Sequence, residues 1–350
     1  MLQLIEHIVR TSAQRDRTDI NEALVFAMVD LFHPRALTIY RAFPRSRQTI
    51  VFDCAGVGPE GSYVRNAYLP DAQHCRPIEA DPLLQRGERE LAAVFEFLAD
   101  GSSRLVFPIA LMDRLLYLID ITVTDELSPK QRTVLMGLVQ YFGNHIALLD
   151  YGESDTLTGL PNRKTFDKHL FEVLGQAAVD EQQKETHATS TPRRRQGSRD
   201  GRHWLAVCDI DHFKSVNDIH GHLIGDEVLV MFAQLMRNTF RYQDQIYRFG
   251  GEEFVAVLQP TSQQNVQRAF DRFRQAVENH VFSRVGRISV SIGYSQVLAN
   301  DTPPDVIERA DEALYYVKQH GRNGVAGYDE LIESGKLASK SSRTGAMEIF

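Results

Sequence analysis

Arg248-Phe249-Gly250-Gly251-Glu252-Glu253-Phe254 is the stretch that decides how the C-terminal half of this chain folds. The glycine pair stands between two apolar runs, and glycine readily adopts the positive φ of a tight turn, so the stretch predicts a β-hairpin. The hairpin places two adjacent carboxylates, Glu252 and Glu253, at the start of a strand. Carboxylates presented in this way suit hard cations such as Mg²⁺. The alternative is an ordinary glycine-rich hairpin with solvated acids.

A second acidic turn follows an apolar strand predicted over residues 203–208. It opens with Asp209 and contains Lys214 within a polar loop. A metal-bound triphosphate needs a carboxylate for the cation, a lysine for the phosphate charge and exposed backbone amides for the phosphate oxygens. If the two acidic turns lie on neighbouring strands, Asp209 joins Glu252 and Glu253 around one cation site.

With these two turns, the C-terminal half closely resembles the GGDEF-domain diguanylate cyclases and carries the GGEEF form of the signature. The resemblance extends from Asp155 to about Tyr328 in ordered blocks with compatible spacing. The blocks are residues 155–163, 209–218, 221–226, 248–254, 289–293 and 310–323. The resemblance implies an α/β (α+β) fold, in which helices flank a central, mostly antiparallel sheet related to the polymerase palm and to class III nucleotidyl cyclases.

The resemblance also implies a metal centre with a catalytic group. Asp209, the backbone carbonyl of Ile210 and Glu253 are expected to bind Mg²⁺ or Mn²⁺. Glu252 is expected at the edge of the same centre, where it takes the proton from the attacking 3′-hydroxyl group. Metal coordination lowers the pKa of that hydroxyl. Lys214 is expected to contact phosphate near the transition state.

Four further positions are implied in phosphate binding. His212 and Phe213 are expected to offer backbone amides to the phosphate oxygens. Lys318 and Arg322, four residues apart on one helix face, are expected to clamp the β- and γ-phosphates. The alternative for this pair is a solvated basic helix end.

Asn217 and Asp226 are implied as the residues that read guanine. Guanine presents N1–H and N2–H₂ donors, which a carboxylate accepts, whereas adenine would leave an acceptor facing Asp226. Asp226 therefore favours GTP over ATP. His222 touches the ribose or only packs, and both readings stay open.

Arg241 and Asp244 form an R-x-x-D string immediately before the signature turn. At this place the resemblance implies an inhibitory site for the product, because a guanidinium donates paired hydrogen bonds to guanine or phosphate and a carboxylate accepts from the guanine edge. Arg272, on the following predicted helix, is a candidate second clamp by spacing alone. The alternative is a surface ion pair.

Residues 1–127 are predicted to form a separate unit that resembles a GAF-type sensory domain, by layout more than by motif. Helical periodicity covers residues 18–32, strands are predicted over 37–43 and 49–54, and a hairpin over 105–123. Residues 56–61 spell G-x-G-x-x-G, but no amphipathic helix follows to receive a pyrophosphate, so we interpret them as a loop.

A helix is predicted over residues 128–154, with Ser128 as N-cap and Pro129 in its first position. Its apolar stripe alternates steps of four and three residues. The stripe consists of Leu135, Val139, Phe142, Ile146 and Leu149. Such a stripe is typical of a coiled-coil dimer seam, and the alternative is that it packs onto its own domain.

The catalytic domain is expected over residues 155–330, interrupted by a polar, basic and mobile insertion at 181–202 and followed by a loose tail at 333–350. The formal net charge of −7 argues against a general nucleic-acid binder. The three cysteines are scattered, which predicts neither a disulfide framework nor a zinc site. No signal peptide and no membrane span are expected, because charged residues interrupt the apolar runs.

The sequence thus predicts a cytoplasmic diguanylate cyclase that condenses two GTP into cyclic di-GMP and two pyrophosphates across a homodimer. Cyclic di-GMP is expected as product and inhibitor, and an unknown ligand or protein at the N-terminal domain. Two rivals remain: a catalytically silent domain of the same type that acts as a receptor for GTP or cyclic di-GMP, and a cyclase that uses ATP or mixed substrates.

Overall fold

The computed structural model describes residues 2–45, 48–58, 60–111, 113–124, 127–187 and 202–338. Contacts within the chain divide it into two compact units, with the boundary between Ser154 and Asp155. Within the described ranges, no helix combines the length and the apolar character needed to cross a membrane.

The N-terminal unit is built around one antiparallel sheet. Its elements are α1 (Leu2–Ala13), α2 (Arg17–Phe32), β1 (Ala36–Pro44), β2 (Thr49–Gly58), β3 (Gly61–Val64), β4 (Cys75–Pro77), α3 (Pro82–Glu90), β5 (Val94–Phe97), β6 (Ser103–Leu111), β7 (Arg114–Val123) and α4 (Pro129–Glu153). The strands follow the order β3-β2-β1-β7-β6-β5, and β4 pairs with β2. A large apolar core includes residues of α2 and α4 and a smaller one residues of α3. The predicted helix, strands and terminal hairpin are therefore confirmed.

The expected dimer seam on α4 is wrong. Leu135, Phe142 and Ile146 are almost completely buried in the large core of their own unit. The ring of Phe142 meets that of Tyr117 on β7 edge to face, with 5.8 Å between the ring centroids. The stripe therefore stabilises the N-terminal unit. A spacing of three and four residues packs against a sheet as well as against a second helix. The predicted cap is confirmed, since Ser128 accepts a hydrogen bond from the amide of Gln131.

The glycine-rich string at residues 56–61 is part of a hairpin. Gly58 lies opposite Gly61 where β2 pairs with β3. The interpretation as a loop is therefore wrong for the described residues, whereas the absence of a following helix agrees with the rejection of a dinucleotide site. Gly56 is required by close packing, because a Cβ there would lie 2.2 Å from the carbonyl oxygen of Leu37.

The C-terminal unit has a five-stranded sheet flanked by helices. Its elements are α5 (Arg163–His187), β8 (Arg202–Ile210), α6 (Phe213–His220), α7 (His222–Thr239), β9 (Gln245–Gly250), β10 (Glu253–Thr261), α8 (Gln263–Asn279), β11 (Val290–Gln296), α9 (Pro303–Gln319), β12 (Val325–Gly327) and α10 (Tyr328–Glu333). The strand order is β12-β11-β8-β10-β9, and every pairing is antiparallel except that of β11 with β12. The predicted mixed sheet is confirmed.

Two expected irregular segments are partly ordered. Residues 181–187 continue α5 and Arg202 begins β8, so the predicted insertion is shorter than 181–202, and its part at 188–201 lies outside the described residues. Helix α5 therefore continues where composition alone suggested a loop. The predicted tail begins with Glu333, the last residue of α10, and the turn after it is hydrogen-bonded to that helix. Residues 339–350 again lie outside the described ranges.

The two faces of β8 have different surroundings because side chains alternate along a strand. Cys208 and Ile210 belong to the apolar core, and burial raises the pKa of the Cys208 thiol. Asp209 lies on the opposite face, where α9 packs. Gly293 on β11 allows that close approach, because a Cβ there would lie 2.1 Å from the backbone nitrogen of Leu314 on α9.

Candidate active site

The two acidic turns of the sequence meet at one end of the C-terminal sheet. Asp209 is the penultimate residue of the central strand β8, and Glu253, the first residue of β10, is its direct partner in the antiparallel register. Directly opposed residues carry their side chains on the same face, about 5 Å apart at Cβ. The predicted neighbourhood of the two turns is confirmed by this register.

The signature turn is the predicted hairpin between β9 and β10. Gly251 has a φ of 51°, a conformation that favours glycine. The guanidinium of Arg248 donates hydrogen bonds of 2.9 and 3.1 Å to the carbonyl oxygen of Gly251. The same guanidinium pairs with the carboxylate of Asp155 at 3.0 Å. The turn that carries Glu252 and Glu253 is therefore fixed from behind by a bonded arginine.

Four carboxylates and one ammonium group determine the charge of the site. Asp209, Glu252, Glu253 and Asp311 are called the acidic cluster below. The Nζ atom of Lys318 lies 2.8 Å from Oδ2 of Asp209, which places this predicted phosphate clamp at the acidic cluster. Burial, and then the charge of Asp209, raises the pKa of Glu252.

Asp311, on α9, is a member of the acidic cluster to which the sequence assigned no role. Much of its surface contacts solvent, yet partial burial of the carboxyl group and then the charge of Glu253 raise its pKa to about 6. Both pKa shifts in the cluster have the same two causes: burial disfavours the charged form, and repulsion from a neighbouring carboxylate adds to it. Bringing a cation to the cluster would relieve that repulsion.

The donor set of the cluster fits a hard divalent cation, because every side-chain donor is a carboxylate oxygen. Across the described residues, no three His, Cys, Asp or Glu side chains converge closely enough to hold an ion in their present positions. One reason is that the expected metal ligands include the backbone carbonyl of Ile210, which is not a side-chain ligand of this kind. In addition, the ammonium of Lys318 already contacts Asp209.

The predicted guanine readers lie on the helical pair α6 and α7. Asn217 belongs to α6, and Asp226 is an exposed residue of α7. Gly225 permits the close packing of the pair, because a Cβ at this position would lie 1.9 Å from Oδ1 of Asn217. His222 is the exposed first residue of α7, a position that leaves both of its readings open.

The remaining predicted phosphate-binding residues lie in the two segments that directly follow β8 and α9. His212, with a left-handed φ of 58°, is the N-cap of α6 and turns the chain from β8 into the helix. Phe213 is buried, whereas Lys214 and Arg322 are exposed. The first amides of a helix have no preceding turn to bond to, so α6 begins with donors directed toward its N-terminal end.

Two of the predicted inhibitory residues, Arg241 and Asp244, lie on the turn between α7 and β9. Asp244 accepts hydrogen bonds from the backbone amides of Arg241 at 2.9 Å and Gln259 at 3.2 Å. Arg272 on α8 donates to the carbonyl oxygen of Thr239 at 3.0 Å. Asp244 therefore shapes the turn.

Asp211 is a buried carboxylate at this end of the sheet to which the sequence analysis assigned no role. It lies two positions after Asp209 and is nearly inaccessible, at 4% exposure. Its carboxylate accepts hydrogen bonds from the hydroxyl groups of Ser289 and Ser291, each at 2.6 Å, and from the amide of Asn323 at 3.0 Å. The signal in the sequence was a second aspartate two residues after Asp209, directly beyond the apolar strand.

Comparison with known proteins agrees with this geometry. The family described as "Diguanylate cyclase, GGDEF domain" matches residues 185–324, which include all the predicted blocks except 155–163. Diguanylate cyclase DgcP of Pseudomonas aeruginosa is 40% identical over 173 residues, covering 49% of this chain and 23% of that protein. Diguanylate cyclase DgcZ of Escherichia coli is 34% identical over 179 residues, covering 50% of this chain and 53% of that protein.

Among solved structures, the GGDEF domain of DgcB from Caulobacter crescentus, in complex with c-di-GMP, is 30% identical and aligns with a TM-score of 0.43. The alignment covers 51% of this chain and 94% of that one. The family model matches residues 185–324 of the C-terminal half, and the two relatives named as diguanylate cyclases are similar to this chain over about half of its length. The chain spans only about half of the second relative's length and less than a quarter of the first's, at 53% and 23%.

Proposed function

We propose that this protein condenses two molecules of GTP into cyclic di-GMP and releases two pyrophosphates. The observation that carries the proposal is the direct opposition of Asp209 and Glu253 on neighbouring strands, with Glu252 in the adjoining turn. Each of the two steps forms a bond between a 3′-oxygen and an α-phosphorus and breaks the α–β phosphoanhydride bond.

Asp209, the carbonyl of Ile210 and Glu253 would hold Mg²⁺ or Mn²⁺, with Glu252 at the edge of the centre. Such a cation lowers the pKa of the attacking hydroxyl and offsets the charge on the transferred phosphoryl group. Glu252 accepts the proton of the 3′-hydroxyl. Its raised pKa suits that task, because a stronger base holds a proton better near neutral pH.

Cationic side chains bind the triphosphate. Lys214 contacts the phosphate at the transition state, and Lys318 and Arg322 hold the β- and γ-phosphates. Lys318 is already at the acidic cluster, so binding GTP exchanges its contact with Asp209 for phosphate. The amides of His212 and Phe213 donate to phosphate oxygens at the start of α6.

Asn217 and Asp226 select guanine, since their acceptors match its N1–H and N2–H₂ donors. One GTP binds per subunit, and two subunits face each other so that each 3′-hydroxyl meets the other's α-phosphate. The contact between subunits does not use the α4 stripe, which is buried in its own unit. We further propose that the N-terminal unit is a GAF-like sensory domain with a ligand or protein partner, and that the protein acts in the cytoplasm.

Product inhibition is the remaining part of the proposal. Arg241 and Asp244 lie directly before β9, the strand that leads into the signature turn, and Arg272 on α8 bonds to the carbonyl oxygen of the nearby Thr239. Bound cyclic di-GMP there would hold two subunits with their GTP half-sites apart. Arg241 and Arg272 supply the guanidinium groups that such a ligand needs.

Incubating the purified chain with GTP and Mg²⁺ and measuring cyclic di-GMP by chromatography tests the proposal. We expect one cyclic di-GMP and two pyrophosphates per two GTP, with specific activity that rises with protein concentration until dimers saturate. Binding of GTP or cyclic di-GMP without any turnover would instead support the silent receptor. Equal turnover of ATP would contradict the assignment of Asp226.

A further inference from the structure

The loop that follows α9 has an unusual backbone. Gly321, Arg322 and Asn323 have φ values of 107°, 60° and 45°, so three consecutive residues adopt positive φ. Glycine does so freely and asparagine with moderate ease, but a long side chain such as that of Arg322 rarely does. Such a conformation persists only when the surroundings hold it in place. The contacts of Asn323 show what holds it.

The side chain of Asn323 is held by two residues of α8. Its Nδ2 group donates to Oε1 of Glu278 at 2.7 Å, and its Oδ1 accepts from Arg274 at 3.0 Å. Arg274 also donates to Glu278 at 2.8 Å, which closes a triangle of hydrogen bonds. The bonds to Asn323 lower the pKa of Glu278, so that carboxylate is ionised wherever the triangle acts.

The backbone of Asn323 is held by Asp211, the residue that directly follows β8. Its amide donates to Oδ2 of Asp211 at 3.0 Å. Asp211 is itself bound by Ser289 and Ser291, so the loop is tied to two neighbouring strands of the sheet. Asp211 directly follows β8 and lies two residues after Asp209, so the loop is attached next to the strand end that carries the acidic cluster.

We propose that Asn323 is a positioning residue for Arg322, and that the triangle with Arg274 and Glu278 presets the guanidinium for the β- and γ-phosphates of GTP. The inference rests on the proposed function, which gives Arg322 its ligand. A preset guanidinium loses less conformational freedom when it binds than a mobile one, so the loop raises affinity for the triphosphate without touching it.

The test compares GTP with GMP, which has no β- or γ-phosphate. Asn323→Gly keeps the left-handed backbone accessible and removes the triangle. By calorimetry with Mg²⁺ we expect GTP affinity to fall roughly tenfold, the scale of one charge-assisted hydrogen bond, with GMP affinity unchanged. Asn279→Gly, at the exposed end of α8, is the matched control and should change neither affinity. Equal losses for GTP and GMP would overturn the proposal.

A double-mutant cycle tests whether Asn323 acts through Arg322. In an Arg322→Ala background, Asn323→Gly should cause no further loss of GTP affinity. A loss as large as in the wild-type background would show that the loop has only a structural role. If Asn323→Gly does not fold, Glu278→Ala removes the triangle from the α8 side and the same comparisons apply.

An exchange of groups provides a rescue. Asn323→Asp brings two carboxylates together and should weaken GTP binding, whereas adding Glu278→Gln restores one donor and one acceptor between the positions. We expect the combined variant to recover most of the GTP affinity, and no recovery would contradict the triangle's role. A chain that loses GTP affinity in this way but forms no cyclic di-GMP would refute the proposed activity and leave the positioning role supported.

Discussion

Two clusters of carboxylates, one in each unit, differ in how their charge is balanced. In the N-terminal unit, Arg104 donates to both oxygens of Asp120, at 3.0 and 2.6 Å, and to Asp81 at 2.7 Å. Asp81 in turn caps α3. In the acidic cluster of the C-terminal unit, only Lys318 lies within ion-pair distance of a member, among the residues that the structure describes.

The same contrast appears at Arg17, a buried arginine of the N-terminal unit. Arg17 has a side chain only 3% exposed, and it pairs with Asp150 at 3.1 Å and Glu153 at 2.6 Å. These arginines neutralise acids that the fold has buried, so their role is architectural.

The acidic cluster is left with excess negative charge, and burial followed by neighbouring carboxylates raises the pKa of Glu252 and of Asp311. Burial also raises the pKa of Asp120, but Arg104 offsets part of that shift. Uncompensated charge at a sheet end is costly, and its persistence is typical of a functional site.

The largest expected effect is on activity and comes from a change in the acidic cluster, whose charge is not balanced. Glu252→Gln keeps the size of the side chain and removes its charge and basicity, so cyclic di-GMP formation should fall by at least about 100-fold, the scale of a lost general base. Glu181→Gln, exposed on α5, is the control and should keep full activity. Calorimetry should still detect GTP binding, and activity within threefold of wild type would remove Glu252 from the mechanism.

A change at the carboxylates Asp81 and Asp120, whose charge Arg104 balances, should alter the free energy of unfolding. Arg104→Met leaves Asp120 buried without its partner and should cost about 3 kcal/mol of unfolding free energy. Urea unfolding followed by circular dichroism measures it, and Arg86→Met, a partly exposed arginine on α3, is the control. The fluorescence of the single tryptophan, Trp204 on β8, reports the unfolding of the C-terminal unit. The urea concentration at the midpoint of that transition should not change. An unchanged circular dichroism transition would show that the N-terminal ion pairs are dispensable.

A smaller, selective effect is expected at the turn before β9. Arg241→Ala should leave initial turnover nearly unchanged, because Arg241 lies outside the acidic cluster, and should abolish inhibition by added cyclic di-GMP. Arg287→Ala, also an exposed arginine, should be inhibited like the wild type. Equal inhibition of all three proteins across a titration would show that the R-x-x-D string only shapes the turn.

The smallest effect concerns Asp311 and pH. Its pKa is about 6 in the folded protein and about 4 when unfolded, so folding stability falls as pH rises through this window and stays low above it. Asp311→Asn removes this penalty and should gain about 1 kcal/mol over wild type at pH 8, a figure reduced for solvent screening, and little at pH 4. Melting with EDTA at both pH values measures the difference, and a gain that does not depend on pH would contradict the cause.

Much of the site was predictable because its signals are local. A glycine pair specifies a turn by itself, and an apolar run specifies a strand, so the hairpin with Glu252 and the strand before Asp209 followed from the sequence. The sequence could state the pairing of these two segments in the sheet only as a condition, because strand register depends on segments far apart in the chain. The fold met that condition with Glu253 opposite Asp209.

The stripe on α4 shows why other predictions failed. A spacing of three and four residues specifies an apolar face but not what covers it, and the sheet of the N-terminal unit covered it instead of a second helix. Residues 181–187 show a second limit. Their polar composition predicted a loop, but they continue helix α5, and near the other end of that helix Phe166 packs against Tyr247.

The sequence by itself determined which residues have chemistry to offer: the carboxylates of two turns, the basic residues near α9, and a fold of alternating strands and amphipathic helices. These depend on side-chain type and on short periods. Only the tertiary structure decided that Lys318 meets Asp209, that Asp311 joins the acids, and that Asp211 and Glu278 hold Asn323 from two sides. Those contacts join segments up to 112 residues apart, and no local pattern specifies them.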